Sequence, residues 1–261
     1  MLCLRERLDD ELPLERMAEI AGVSPFHFLR MFRRFTGVTP ALFLSALRLE
    51  EAKRLLLTTK RSVTDICFEV GYNSLGTFTT RFTQLVGLSP ARLRRLGSGF
   101  RLAALAELAE RLAAAVPNAG PFNVFGTLDG GGPVDGVIFL GLFAHSLPQE
   151  RPLACTLLTA SGPFQLNAPG PGRHYVFAAS FSLAPQPQDF LLASRSVRQV
   201  AASGPLLLRA GGGPAGPLSL RLRPLSLLDP PLLVALPLLL AERSARAVVH
   251  DPDAVSHLVS S

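Results

Sequence analysis

The side chains best suited to chemistry lie on one face of a segment that runs from Pro25 to about Phe35. His27, Arg30, Arg33 and Arg34 recur at intervals of three or four residues, which places them on the same side of a helix. A guanidinium can donate two hydrogen bonds to the major-groove edge of guanine, and it also pairs with phosphate. The pattern therefore predicts a surface that binds nucleic acid.

Other kinds of site are not indicated. The cysteines and most histidines are dispersed, at Cys3, Cys67, Cys155, His145, His174, His250 and His257. Such spacing is typical of neither a zinc site nor a disulfide framework. Cys155 with His145 would resemble a nucleophile and its base, but no acidic residue or oxyanion motif accompanies them. We therefore expect no catalytic residues, no metal, no cofactor and no enzymatic activity, with the cysteines reduced.

The basic face needs a helix that projects from a scaffold. Leu14–Ala21 is amphipathic, Gly22 can end it, and Ser24 with Pro25 is a typical start for the next helix. Helix, short turn with Gly and helix form a helix-turn-helix, whose second helix fits the major groove. A short amphipathic helix is also expected over residues 3–11.

The pattern recurs after about 50 residues. Val63–Val70, Gly71, Asn73 or Ser74 as a cap, and a helix over Leu75–Val86 repeat the first unit. A longer helix between the units, from Thr39-Pro40 to about Leu57, is expected to keep its charged side chains in solvent, namely Arg48, Glu51, Lys53 and Arg54. Two docking units on one chain suggest two major-groove contacts about 34 Å apart.

The stretch TDICFEVGYNSLGTFTTRFTQLVGLSPARLRR resembles the signature of the AraC/XylS family of bacterial transcriptional regulators, and the resemblance covers about residues 4–97. It implies two recognition helices in adjacent major-groove segments of double-stranded DNA. By position, the first would present Phe26, His27, Leu29 and Arg30, with Arg33 and Arg34 on the same outer face. The second would present Ser74, Leu75, Gly76, Thr79 and Thr80, while Ser74, Thr77 and Arg81 hold phosphates.

The two halves are predicted to be unequal. Leu75, Gly76 and Thr80 stand where many members of the family carry longer polar or arginine side chains. We therefore expect the first helix to read bases and the second mainly to anchor the protein on phosphates, which position a protein without specifying sequence.

Composition divides the chain. Residues 1–97 hold 15 of the 26 Lys and Arg but only 4 of the 22 Pro and 6 of the 22 Gly. The predicted fold is therefore a multi-domain α + β protein. Its parts are an all-α double helix-turn-helix domain (1–97), a linker helix (98–117) and a mainly β, sandwich-like domain (118–261).

Short apolar runs between Pro/Gly turns predict the strands of the β part. The candidates are Phe122–Leu128, Val134–Phe143, Ala154–Thr159, Phe164–Asn167, His174–Phe181, Phe190–Ala193, Pro205–Arg209 and Leu218–Leu225. The region loosely resembles transthyretin-like or carboxypeptidase-regulatory modules. A short helix over Asp229–Glu242 is also predicted.

The expected role of the β part is to sense a ligand or to mediate protein contacts. The candidate ligand-binding residues are Phe139, Phe143, Tyr175 and Phe177, although aromatic residues that alternate along strands also form ordinary cores. Alternatively, this part is a dimerisation or polymerase-contact module without a ligand. Candidate partners beyond DNA are RNA polymerase, a small-molecule effector and a second copy of the chain. We expect a cytoplasmic location without a membrane span, since prolines and Asp229 interrupt Leu225–Ala241.

Overall fold

The computed structural model describes residues 8, 12–98, 122–130, 136–149, 152–182, 192, 197–209 and 217–233. The first part of the chain is helical, and the helices are α1 (Leu14–Ile20), α2 (Pro25–Thr36), α3 (Pro40–Thr58), α4 (Val63–Glu69), α5 (Leu75–Val86) and α6 (Pro90–Ser98). The predicted helix over residues 3–11 and the predicted linker helix lie outside the described residues, apart from Leu8 and the end of α6. No helix in the described ranges is both long and apolar enough to cross a membrane.

Local signals set the ends of the helices. The hydroxyls of Ser24 and Thr39 accept hydrogen bonds from backbone N–H groups in the first turns of α2 and α3. Ser62 and Asp65 form a reciprocal capping box at the start of α4. Gly37 ends α2 with φ +77°, a left-handed conformation that glycine adopts without steric cost.

The strands form two sheets. Their bounds are β1 (Asn123–Asp129), β2 (Gly136–Phe143), β3 (Ala154–Leu158), β4 (Gly162–Asn167), β5 (Gly172–Ser182), β6 (Val197–Leu208), β7 (Leu218–Arg221) and β8 (Arg223–Pro224). One sheet has the order β4-β1-β7 and the other β3-β2-β5-β6-β8. The pair β1 and β7 is parallel and the other pairs are antiparallel. The α + β fold class is thereby confirmed.

Alternation along β2 shows how the layers pack. Ile138, Leu140 and Leu142 belong to a core that also contains Val124 and Phe164 of the smaller sheet. Because successive side chains of a strand point to opposite faces, the residues between them face away from this core. The two sheets therefore enclose one core and leave the other face of the five-stranded sheet to a different partner.

That partner is the helical domain. Phe139 and Phe143 of β2 share one continuous core with Phe32 and Phe43 of the helices. Gly141 lies between the two β2 phenylalanines, and a Cβ there would stand 2.6 Å from the ring of Phe139. The order of layers is thus helices, five-stranded sheet and three-stranded sheet.

A buried lysine joins the same two parts. Lys53 of α3 is only 2% exposed, and its Nζ donates a hydrogen bond to the carbonyl oxygen of Leu233 at 2.9 Å. Desolvation lowers the pKa of this amine from 10.5 to about 8, against the opposing attraction of Glu50. The prediction that Lys53 is solvated was wrong, and its hydrogen-bond partner lies 180 positions away in the sequence.

Four predicted elements of the β part differ in the structure. The run Pro205–Arg209 belongs to the longer β6. Pro205 has no N–H to donate, and it is tolerated in this strand because it lies at a bulge opposite Tyr175. The run Leu218–Leu225 is divided into β7 and β8. The described start of the predicted Asp229–Glu242 helix, residues 229–233, is not helical, and Pro230 and Pro231 explain why. Within 190–193 only Leu192 is described, and it is not in a strand.

Candidate nucleic-acid interface

The helix α2 has one buried and one exposed face. Phe32 and Thr36 are buried, whereas Phe26 is 75% exposed. The remaining side chains predicted to contact DNA from α2 are His27, Arg30, Arg33 and Arg34, all exposed, and Leu29, which is half-buried. The helical period thus separates the packing residues from the basic ones.

Arg30 is held near its neighbours on the outer face. Its Nη2 lies 3.4 Å from Nδ1 of His27, and its guanidinium carbon lies 5.9 Å from the centre of the Phe26 ring. A cation over an aromatic ring at this distance gains a modest electrostatic stabilisation. The contacts limit the freedom of Arg30 while its side chain stays in solvent, so part of the entropy cost of ordering it on a ligand is already met.

The helix α5 has the same arrangement with a less basic surface. Phe78, Phe82, Leu85 and Val86 are buried. The predicted contact residues Ser74, Leu75, Gly76, Thr77, Thr80 and Arg81 are exposed, and Thr79 is half-buried. Arg81 is the one basic side chain of this helix, and its Nη1 donates to Oε1 of Gln84 at 3.2 Å. A single arginine supports the predicted inequality of the two halves.

Ser74 has a structural role beside its predicted one. Its hydroxyl accepts a hydrogen bond from the backbone N–H of Thr77 at 3.4 Å, which makes it the N-cap of α5. The equivalent cap of α2 is Ser24, which accepts from the N–H of His27 at 3.4 Å. Both candidate recognition helices therefore start at a serine cap.

Sequence reasoning missed the residues that fix the second turn. The hydroxyl of Tyr72 lies 2.9 Å from that of Ser45, and Nε of Arg48 donates to the carbonyl of Leu8 at 2.7 Å. A Cβ on Gly71 would come within 2.8 Å of the Leu8 oxygen, and Gly71 also has φ +83°. These contacts set where α5 begins relative to α3, and their only sequence signal is the Gly-Tyr pair.

The predicted ligand-binding residues separate into two groups. Phe143, Tyr175 and Phe177 line a cavity of about 170 Å³ together with His145 and other residues. Phe139 does not line it, and both Phe139 and Phe143 are only 1% exposed, within the core shared with the helices. The cavity is smaller than the usual 300–1,000 Å³ of small-molecule sites.

Cys67 is buried, and burial raises the pKa of its thiol. Neither Cys67 nor Cys155 forms a disulfide. Within the described ranges, no group of three or more His, Cys, Asp or Glu side chains is placed to hold a metal ion.

The helical part of this chain is similar in sequence to known proteins. A family model described as a helix-turn-helix domain matches residues 17–96. The Transposon Tn10 TetD protein of Escherichia coli is 34% identical over 95 residues, which cover 36% of this chain and 69% of TetD. This chain belongs to the AraC/XylS family.

The share of the relative's own length that is matched varies among further relatives. The MmsAB operon regulatory protein of Pseudomonas aeruginosa is 36% identical over 92 residues, which cover 35% of this chain and 30% of that regulator. The C-terminal domain of AraT, a response regulator from Geobacillus stearothermophilus, is 33% identical over 36% of this chain and 78% of its own, with a TM-score of 0.35.

Proposed function

We propose that this chain is a sequence-specific regulator of transcription that inserts α2 and α5 into adjacent major-groove segments of double-stranded DNA. The observation that carries the proposal is the exposed face of α2, where three arginines stand over a buried apolar face. Membership of the AraC/XylS family supports it. Arg30 is the principal base-reading residue, and Arg81 anchors the second half on phosphate.

The β part acts on the DNA-binding domain of the same chain. The proposal rests on the core that Phe139 and Phe143 share with the helices and on the hydrogen bond from Lys53 to Leu233. A third contact, from Oγ of Ser146 to the carbonyl of Gly37 at 3.5 Å, reaches the end of α2. The alternative roles of the β part, as a dimerisation or RNA polymerase contact, remain predictions.

Arg30→Ala should weaken binding to the preferred DNA site by about 1–3 kcal/mol and relax the preference at one base pair, because the bidentate contact to that base is lost. The measurement is a fluorescence-anisotropy titration of the purified full chain. The preferred site comes from genome-wide footprinting of the same protein, which also gives the number of half-sites.

Two matched arginine variants make that result interpretable. Arg81→Ala should weaken binding almost equally on all sequences and reduce the salt dependence by about one counterion, as expected for a phosphate contact. Arg173→Ala removes an exposed arginine of β5 and should leave both affinity and preference unchanged. If Arg30→Ala kept the site preference, the assignment of α2 as the base-reading helix would be wrong.

A further inference from the structure

An apolar cavity of about 360 Å³ lies between α1, α2 and the segment after β8. It is partly open to solvent. Its walls are formed by Leu12, Met17, Ile20, Ala21, Phe28, Met31, Phe32, Phe35, Thr36 and Leu228. Leu228 comes from the C-terminal part, so the cavity lies where the two parts of the chain meet, a common place for ligand sites.

The second helix-turn-helix unit closes the corresponding face. When the turn glycines Gly22 and Gly71 are aligned, Ala21 corresponds to Val70, and Val70 is buried whereas Ala21 is exposed. When Gly37 and Gly87 are aligned, Phe35 corresponds to Leu85. Leu85 is fully buried, whereas Phe35 is 63% exposed. The cavity is therefore a property of the first unit and does not follow from the motif itself.

The rim also differs in charge between the units. Ile20, which is 53% exposed, stands where the second unit has Glu69, and Met31 stands where it has Arg81. Glu69 forms an ion pair with Arg61, as expected on a solvated face. Apolar residues at both positions of the first unit lower the cost of covering this face and raise the cost of leaving it in water.

The walls offer a ligand little but apolar surface. The only polar side chain among them is Thr36, and its hydroxyl already donates to the carbonyl of Phe32 at 2.8 Å. It also lies 3.1 Å from the carbonyl oxygen of Val38. A ligand with a buried charge or several polar groups would leave them without partners in these walls, which is costly.

The size of the cavity favours a small molecule over a protein. Ten of the described residues line it, whereas a specific protein interface takes about 20–30 residues a side. Its volume lies within the range of about 300–1,000 Å³ that small-molecule sites occupy. Met17 and Met31 add flexible, polarisable side chains that adapt to the shape of an apolar guest.

We propose that this cavity is a binding site for a small uncharged apolar molecule, aromatic or aliphatic, at the contact between the first helix-turn-helix unit and the C-terminal part. Five of its wall residues belong to α2, so an occupant contacts the back of the helix whose front carries Arg30. An occupant that bridges α2 and Leu228 changes DNA affinity. That regulatory step rests on the proposed function, while the binding step does not.

The test is a titration of the full chain with N-phenyl-1-naphthylamine, a neutral apolar fluorophore that brightens out of water. The chain contains no tryptophan, so its own emission does not interfere. We expect saturable binding of one dye per chain. Ile20→Glu places a charge on the rim and should weaken binding about tenfold or more, because an occupant would bury that charge.

Phe68→Glu is the matched control, since it places the same charge at an exposed apolar residue of α4 away from the cavity, and should leave dye affinity unchanged. Thermal unfolding checks that both variants fold. The proposal would be overturned by non-saturable binding or by an equal loss of dye affinity in both variants. It would also be overturned by a ratio of one dye per two chains in sedimentation, which would indicate an interface between copies. DNA affinity measured with and without dye then tests the regulatory step. A chain that binds dye but no DNA refutes the proposed function and leaves the site in place.

Discussion

Phe139→Ala should lower the free energy of unfolding by about 3–5 kcal/mol, the usual cost of removing a fully buried phenylalanine. Its ring is 1% exposed and lies 6.5 Å from that of Phe143, centre to centre. Gly141 lies against both rings and has no side chain that could fill the space that alanine would leave. Urea denaturation followed by circular dichroism measures the loss. The dependence of the free energy of unfolding on urea concentration should be the same for both chains.

The outcome distinguishes two roles for the aromatic residues of β2. Truncating a residue that lines an empty ligand site lowers the free energy of unfolding only slightly, whereas truncating one in a shared core lowers it by several kcal/mol. Phe125→Ala, at a half-exposed phenylalanine of β1, is the matched control and should cost under about 1 kcal/mol. A loss as small at Phe139 would show that the sheet does not pack on the helices as described.

The helical part of the fold could be predicted from local signals. Ser24, Thr39 and Ser74 are caps whose hydroxyls are used as expected, and Gly37 and Gly87 end helices in the left-handed conformation. These signals act within one turn, so the sequence alone carries them. The basic face of α2 is also local, since helical period and charge define it.

The contacts between the two parts of the chain could not be predicted. Lys53 looks like a solvated residue of an amphipathic helix, but in the structure it is buried and bound to the distant Leu233. The alternation of Phe139 and Phe143 marks a buried face but does not say whether a ligand or another domain covers it. The described residues that line the apolar cavity likewise come from three separate segments of the chain.

Lys53→Met should remove a pH dependence of stability that the native chain shows between pH 8 and 10.5. The pKa of Lys53 is about 8 in the folded chain and 10.5 when solvated. Between these values the unfolded chain binds more protons than the folded one, so stability rises with pH and gains about 3 kcal/mol in total. Below pH 8 the native chain bears the full cost of a buried ammonium, and methionine does not.

The measurement is urea denaturation of both chains at intervals from pH 7 to pH 10.5, with thiols kept reduced. The Lys53→Met chain should have a higher free energy of unfolding than the native chain at pH 7, and the difference should shrink as the pH rises. Lys60→Met, at the other lysine of the sequence, is the control because Lys60 is exposed and its substitution should leave the pH dependence unchanged. Parallel curves for the native and Lys53→Met chains would mean that Lys53 is solvated. Since Nζ of Lys53 binds the carbonyl oxygen of Leu233, we expect the slope to be lost if the C-terminal part is not docked on α3.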